Sequence, residues 1–345
     1  MARTGLAALT QTDLDRWVAE ARSQTFKGDL PDYIPLLAKV NPEWVAVQVQ
    51  SLDGQVWAAG EVYQPFVLMS VVKPLLLLFL LEHSGSQEVF AHVGMDPSDQ
   101  SFHSLTQLRQ DRGFPRNPMI NSGAIALASR LPGQDGTSRC EALRQWLNQI
   151  SGSQLFLDEQ VLASVRSLPN EVNRAIAHLL AESGHVDSVE TALDTYNQIC
   201  CLSGTVNDLA KLGVVLAGDR GQETGDREGT KDNTGDGVPI PGMEYSIPGT
   251  RYWMPDTRHS SPSSLSRQTV NALMLTCGLY EVSGRFAVRV GIPTKSGVSG
   301  VLLSVVPGQG AIACYSPAID SAGNSVAGLF LLEHLNRALQ LSLFN

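Results

Sequence analysis

Basic charge is scarce in this 345-residue chain: 25 lysines and arginines stand against 34 acidic residues, a formal net charge of −9. That balance argues against nucleic acid or an anionic membrane as the main partner. Long apolar runs are missing too, since the longest, Pro74 to Leu81, falls far short of the roughly 20 residues a bilayer-crossing helix needs. The stretch from Met1 to Leu9 carries no full signal-peptide core. Cysteines number only five (Cys140, Cys200, Cys201, Cys277 and Cys314), an odd count without metal-ligand spacing. Seven scattered histidines form no His-x-x-x-His pair, so the sequence offers a metal mechanism little support. Together these absences predict a reduced, cytoplasmic protein. What is present is an ordinary globular balance, 43% apolar and 17% charged, with ample material for one large domain or two.

Against that background Ser70-Val71-Val72-Lys73 stands out, answered far downstream by Lys295-Ser296-Gly297. Residues three apart on a helix share a face, so a serine hydroxyl and a lysine amine at that spacing can exchange a proton. Ser-x-x-Lys with a later Lys-Ser/Thr-Gly is a signature of serine acyl-transfer enzymes. With 32 serines and 6 lysines in the chain, chance supplies roughly half a Ser-x-x-Lys, so the motif needs its context. Proline is tolerated in a helix only near its start, and Pro74 therefore sets the start near Ser70, with the helix running on through the leucines. Ser70 then meets unpaired backbone N–H groups, and the apolar flanks push the pKa of Lys73 down toward that of a usable base. The competing explanation is a buried core helix whose serine and lysine merely reach its mouth.

Periodicity gives strands, then helices, then strands. Trp44 to Gln50 alternates, Asp53-Gly54 signals a hairpin, and Gln55 to Ala59 is the partner strand. Helical spacing dominates from Leu75 to about Gly213, and strand character returns at Phe286 to Ile292, Gly300 to Val306 and Gly310 to Tyr315. A last helix covers Val326 to about Leu343. The pattern predicts an α/β fold of the α+β type: an antiparallel sheet of about five strands flanked by helices, with a helical domain inserted. The expected division is an α/β domain from 20–72 and 265–345, a helical domain at 73–218, and an insertion loop at 219–264. Within that loop Asp219 to Gly237 contains no aliphatic or aromatic residue and supplies no core. Tyr245, Tyr252 and Trp253 follow it; a solvated insertion without a catalytic role is the expectation, with folding back over the surface or a cleft as the alternative. The hexamer Leu-Phe-Leu-Leu-Glu-His ends at both His83 and His334, but nothing around it repeats, so it marks two helices and not a duplication.

Several longer stretches carry a family resemblance. Asp32-Tyr33-Ile34-Pro35-Leu36-Leu37-Ala38-Lys39-Val40, Arg116-Asn117-Pro118-Met119-Ile120-Asn121-Ser122-Gly123-Ala124-Ile125, Thr276-Cys277-Gly278-Leu279-Tyr280 and Gly291 to Gly300 occur in the order found in glutaminases. The chain resembles that family of the serine β-lactamase-like superfamily, which hydrolyses L-glutamine to L-glutamate and ammonia. The resemblance implies Ser70 as nucleophile, Lys73 as general base, Tyr280 as proton carrier to the leaving ammonia, and the backbone N–H groups of Ser70 and Val298 as oxyanion hole. It also implies that Tyr33, Asn121, Asn173, Tyr196, Tyr280 and Val298 bind the substrate, with Lys295, Ser296 and Gly297 in support. No metal or cofactor is implied, and the expected assembly is a homodimer or homotetramer. Arg166 departs from the pattern, standing seven positions before Asn173 where relatives place a glutamate that holds the substrate's α-ammonium. Glu171 is the candidate replacement. Met69 for a glutamine and His103 for an asparagine are lesser departures. A related serine amidase, a β-lactamase-like hydrolase with another substrate and an inactive binding homologue remain the alternatives.

Overall fold

Gly54 takes φ 85°, a value open to glycine at no steric cost, and the chain doubles back there from β1 (Ala46–Ser51) into β2 (Val56–Gly60). The computed structural model, which describes residues 4–218, 244–247, 250–253 and 261–345, joins this hairpin to three strands from the other end of the chain. They are β3 (Thr294–Gly297), β4 (Val301–Val306) and β5 (Gly310–Tyr315). All neighbours are antiparallel in the order β2-β1-β5-β4-β3, so the expected five-stranded sheet is present. Val47 opposite Cys314 and Val49 opposite Ile312 stitch the two ends of the chain together.

Alternation decides what lies on each face. On one face Val47, Val49, Leu302, Val306, Ile312 and Cys314 pack against two helices, α1 (Gln11–Arg22) and the last helix, Val326–Leu339. On the other, Val301, Leu303, Val305 and Ala313 join the larger core built from the helices between the two sets of strands. The central one is α2 (Val72–Phe90), in which every residue from Val72 to Leu81 is buried. Such a helix has no polar face to expose, and each buried leucine contributes about 2 kcal/mol before the entropy cost. Against it pack Gly136–Ser151, Ser264–Cys277 and α3 (Asn121–Ala128), and α4 (Glu159–Arg166), α5 (Glu171–Glu182), α6 (Val189–Cys200) and α7 (Val206–Ala217) complete the same core.

One expected strand is a helix. Phe286 to Ile292 alternates, yet Ser283–Arg289 is α8. Phe286 and Val290 are buried and four residues apart, which is also the spacing of a helix face, whereas Val288 between them is 89% exposed. Ser283 fixes the entry, its hydroxyl accepting from Leu279 N–H and donating to the Tyr280 carbonyl. The third strand is instead β3, the Lys-Ser-Gly segment itself. Asp219 to Gly237 lies outside the described residues, and of Val238 to Arg258 only the pairing of Glu244–Ile247 with Thr250–Trp253 is described. Among the described residues no helix is long and apolar enough to cross a membrane, and all five cysteines are buried and unpaired.

Candidate active site

The turn that carries Ser70 is held from both sides. Phe66–Val67 pairs with Leu202–Gly204, and Leu68 N–H donates to the Leu202 carbonyl at 2.7 Å. Met69 then takes a left-handed backbone (φ 46°), and a 3₁₀ turn over Met69–Val71 leads straight into α2. For a residue with a Cβ that conformation costs about 1 kcal/mol or more and persists only where its surroundings impose it. Tyr280 (φ 57°) and Asn170 (φ 46°) share it, and Asn170 lines the same cavity as Ser70.

From the opposite side β3 presses against the turn. A Cβ on Gly297 would lie 2.7 Å from the Leu68 carbonyl oxygen and 3.5 Å from Ser70 N. Only glycine lets the strand and the Ser70 turn come this close. Ser299 Oγ adds a bond to the Val67 carbonyl at 2.7 Å. Gly297→Ala is expected to lower kcat by about tenfold or more and to cost about 1–3 kcal/mol of stability, read by steady-state kinetics and thermal melting. An unchanged kcat would mean that the turn does not need this spacing.

Lys73 is 1% exposed. Its Nζ donates to the Met119 carbonyl at 3.1 Å and to Asn121 Oδ1 at 2.8 Å. Burial pushes its pKa down to about 7, against a weak opposing pull from Cys200. A neutral amine has two N–H donors and one lone pair. Both donors are used here, which leaves the lone pair to take a proton. Asn121, at the start of α3, gathers the neighbours: the Tyr196 hydroxyl donates to its Oδ1 at 3.1 Å, and its Nδ2 donates to Asn173 Oδ1 at 2.9 Å.

Lys295, on β3, is wholly buried, and desolvation, reinforced by the charge of Lys73, holds its pKa well below the usual lysine value. Its Nζ donates to the Ser296 carbonyl at 2.7 Å and sits 4.1 Å from the centre of the Tyr280 ring. The buried Tyr280 hydroxyl makes no bond of standard geometry, yet Ser70 and Ser296 are close enough to act on it. Burial raises its pKa above that of an ordinary phenol, so it stays protonated through the neutral range.

A cavity of ≈ 340 Å³ opens over this group. Of the residues expected from the sequence, Tyr33, Ser70, Asn121, Asn173, Tyr196 and Val298 line it. Tyr280 lies just behind, its ring 4.7 Å from that of Phe102. Glu171 is exposed in the first turn of α5 and does not reach the lining. Arg166 does not reach it either: its Nε and Nη2 donate to Asp194 Oδ1 at 3.0 and 2.5 Å. Sequence reasoning had no signal for Cys200, which lines the cavity and whose thiol burial pushes up to about 11. Val165 and Leu168 are also in the lining.

A buried serine at a helix start, a lysine with a depressed pKa one turn on and a Lys-Ser-Gly strand alongside together define the class of serine acyl-transfer hydrolases. Comparison with known proteins narrows the class. The glutaminase family model matches residues 28–234 and 251–344. A curated glutaminase of Synechocystis sp. strain PCC 6803 is 42% identical over 337 residues, covering 97% of this chain and 91% of that protein. One from Geobacillus kaustophilus is 33% identical, covering 97% and 98%. Among solved structures, a probable glutaminase of Bacillus subtilis complexed with 6-diazo-5-oxo-L-norleucine is 30% identical with a TM-score of 0.78, covering 97% of each chain. The crystal structure of a Bacillus subtilis probable glutaminase has a TM-score of 0.80 at 28% identity, covering 96% of this chain and 97% of that one. This chain belongs to the glutaminase family.

Proposed function

We propose that the glutaminase activity of this chain, hydrolysis of L-glutamine to L-glutamate and ammonia, runs through an acyl-enzyme on Ser70. The observation that carries the reading is Lys73, buried beside the nucleophile turn with its pKa down at about 7 and its two donors engaged. In the first half-reaction Lys73 takes the Ser70 proton as Oγ attacks the side-chain amide carbon. The oxyanion is met by the backbone N–H groups of Ser70 and Val298. Collapse breaks the C–N bond, and the proton held by Lys73 reaches the leaving nitrogen with Tyr280 as carrier, releasing ammonia and leaving a glutamyl ester. Water then attacks the ester by the same route in reverse and frees glutamate.

Asn121, Asn173, Tyr196 and Tyr33 supply the polar contacts of the substrate. We read the cavity as lying between the α/β unit of 20–72 and 265–345, which gives Tyr33, Ser70 and Val298, and the helical unit of 73–218, which gives Asn121, Asn173 and Tyr196. The five unpaired cysteines support a reducing, cytoplasmic setting. A homodimer or homotetramer is part of the same proposal, on family resemblance alone. The relative complexed with 6-diazo-5-oxo-L-norleucine suggests the direct test. Incubation with that diazo ketone should add its mass, less dinitrogen, to the peptide containing Ser70. Labelling elsewhere, with Ser70 untouched, refutes the nucleophile assignment.

A further inference from the structure

L-Glutamine carries an ammonium into the site, and a sheltered site must answer it with hydrogen-bond acceptors. Attack by Ser70 fixes the side-chain amide at one place, so the ammonium falls elsewhere in the same ≈ 340 Å³ cavity. Among the described residues, none that lines the cavity is acidic. Asp194, one turn before Asn197 on α6, is held by Arg166 and by Gln198. The acceptor is therefore a neutral oxygen.

Hydrogen-bond accounting narrows the choice. Asn121 Oδ1 has both lone pairs filled, by Lys73 at 2.8 Å and by the Tyr196 hydroxyl at 3.1 Å. Asn173 Oδ1 is engaged by Asn121 Nδ2 at 2.9 Å, so the unspent group of Asn173 is its Nδ2 donor. Tyr33 is 52% exposed, and water can satisfy its hydroxyl. Among the described residues, two lining carboxamides make no side-chain hydrogen bond, Asn170 and Asn197. Helix ends separate them. Asn170 caps the start of α5, where unpaired N–H groups repel a cation. Asn197 stands in the last turn of α6, where the closing carbonyls attract one. It also follows Tyr196, whose ring centre lies 5.9 Å from Lys73 Nζ, so a helix holds its carboxamide beside the reacting groups.

We propose that Asn197 is a specificity-determining residue of this site, its Oδ1 accepting a hydrogen bond from the α-ammonium of L-glutamine. The inference rests on the glutaminase reading of Ser70 and Lys73. Arg166, turned to Asp194 and absent from the lining, does not fill that role. A neutral oxygen holds an ammonium roughly half as strongly, per hydrogen bond, as a carboxylate does. The contact is thus improvable by one substitution, and that sets the test.

Steady-state ammonia release from L-glutamine is compared in wild type, Asn197→Asp and Asn197→Leu, at about pH 8.5 so that Lys73, with its pKa of about 7, stays neutral. Asn197→Leu should raise KM about tenfold or more and Asn197→Asp should lower it about fivefold or more, with kcat within about threefold in both. Glutarate, which resembles the product without its ammonium, is the control. Its inhibition constant should not fall in Asn197→Asp, whereas that of L-glutamate should fall along with KM. A residue serving only the fold would move both variants the same way. A higher KM in Asn197→Asp, an unmoved KM in a folded Asn197→Leu, or an equal gain for glutarate and L-glutamate overturns the proposal. Thermal melting checks folding, and if Asn197→Leu does not fold, the isosteric Asn197→Asp decides. No ammonia from wild type overturns the glutaminase reading itself, a result distinct from a wrong contact.

Discussion

Ser70→Ala is expected to cut ammonia release from glutamine by at least about 10⁴-fold. The size follows from what the serine supplies, since without Oγ no acyl-enzyme forms, and only the oxyanion hole and substrate positioning are left to help water attack directly. Ser70 sits at the cavity with little packing volume to lose, so Ser70→Ala should melt within a few degrees of wild type. Activity and folding are thereby separated in one variant. Kinetics with an ammonia-coupled readout, together with thermal melting, make the check. Retention of even a hundredth of wild-type turnover in Ser70→Ala would rule out the acyl-enzyme route.

Lys73→Met moves activity and stability in opposite directions. Activity should fall about as far as in Ser70→Ala, because serine and base act as one unit. Stability should rise. The amine has an ordinary pKa of 10.5 when exposed and about 7 when buried. As pH falls, the unfolded chain therefore binds the proton first. The penalty is absent above pH 10.5, grows on descent to about 5 kcal/mol near pH 7, and stays constant below that. Methionine removes the penalty but leaves the Met119 carbonyl and part of Asn121 Oδ1 without a donor, a loss of about 1–3 kcal/mol. A net gain of about 3 kcal/mol at pH 6 that crosses zero near about pH 9 and becomes a loss of about 1–3 kcal/mol above about pH 10.5 is the expected result in denaturant titrations. The wild-type kcat/KM should in turn lose tenfold per pH unit below 7, as the base becomes protonated. A profile flat down to pH 5 would remove Lys73 from the role of base.

These two residues were readable because their relation is local: three positions on one helix, announced by a proline and a leucine run. β3 was not, since a four-residue strand containing a lysine and a glycine carries no alternation, while the more strand-like Phe286 to Ile292 is a helix. Asn121 had no claim from its own surroundings. Its meaning comes from Lys73 and Asn173, contacts set by tertiary packing. Arg166 shows a different limit. Successive helix residues point about 100° apart, so a shift of one position swaps the residue facing the cavity for one facing away. Val165 meets the cavity and Arg166 meets Asp194. Counting back from Asn173 across the α4–α5 turn cannot resolve that difference.

The sheet order has a consequence for the newly made chain. β1 lies between β2 and β5, and the strand that presses on the Ser70 turn, β3, belongs to the same late-made set. A ribosome therefore delivers Ser70 and Lys73 long before β3 and Val298, the residue proposed to complete the oxyanion hole, exist. Until β5 arrives, β1 has an open edge, the interval in which a nascent chain needs chaperone protection. On the proposed mechanism, hydrolysis therefore waits for the last strands to close.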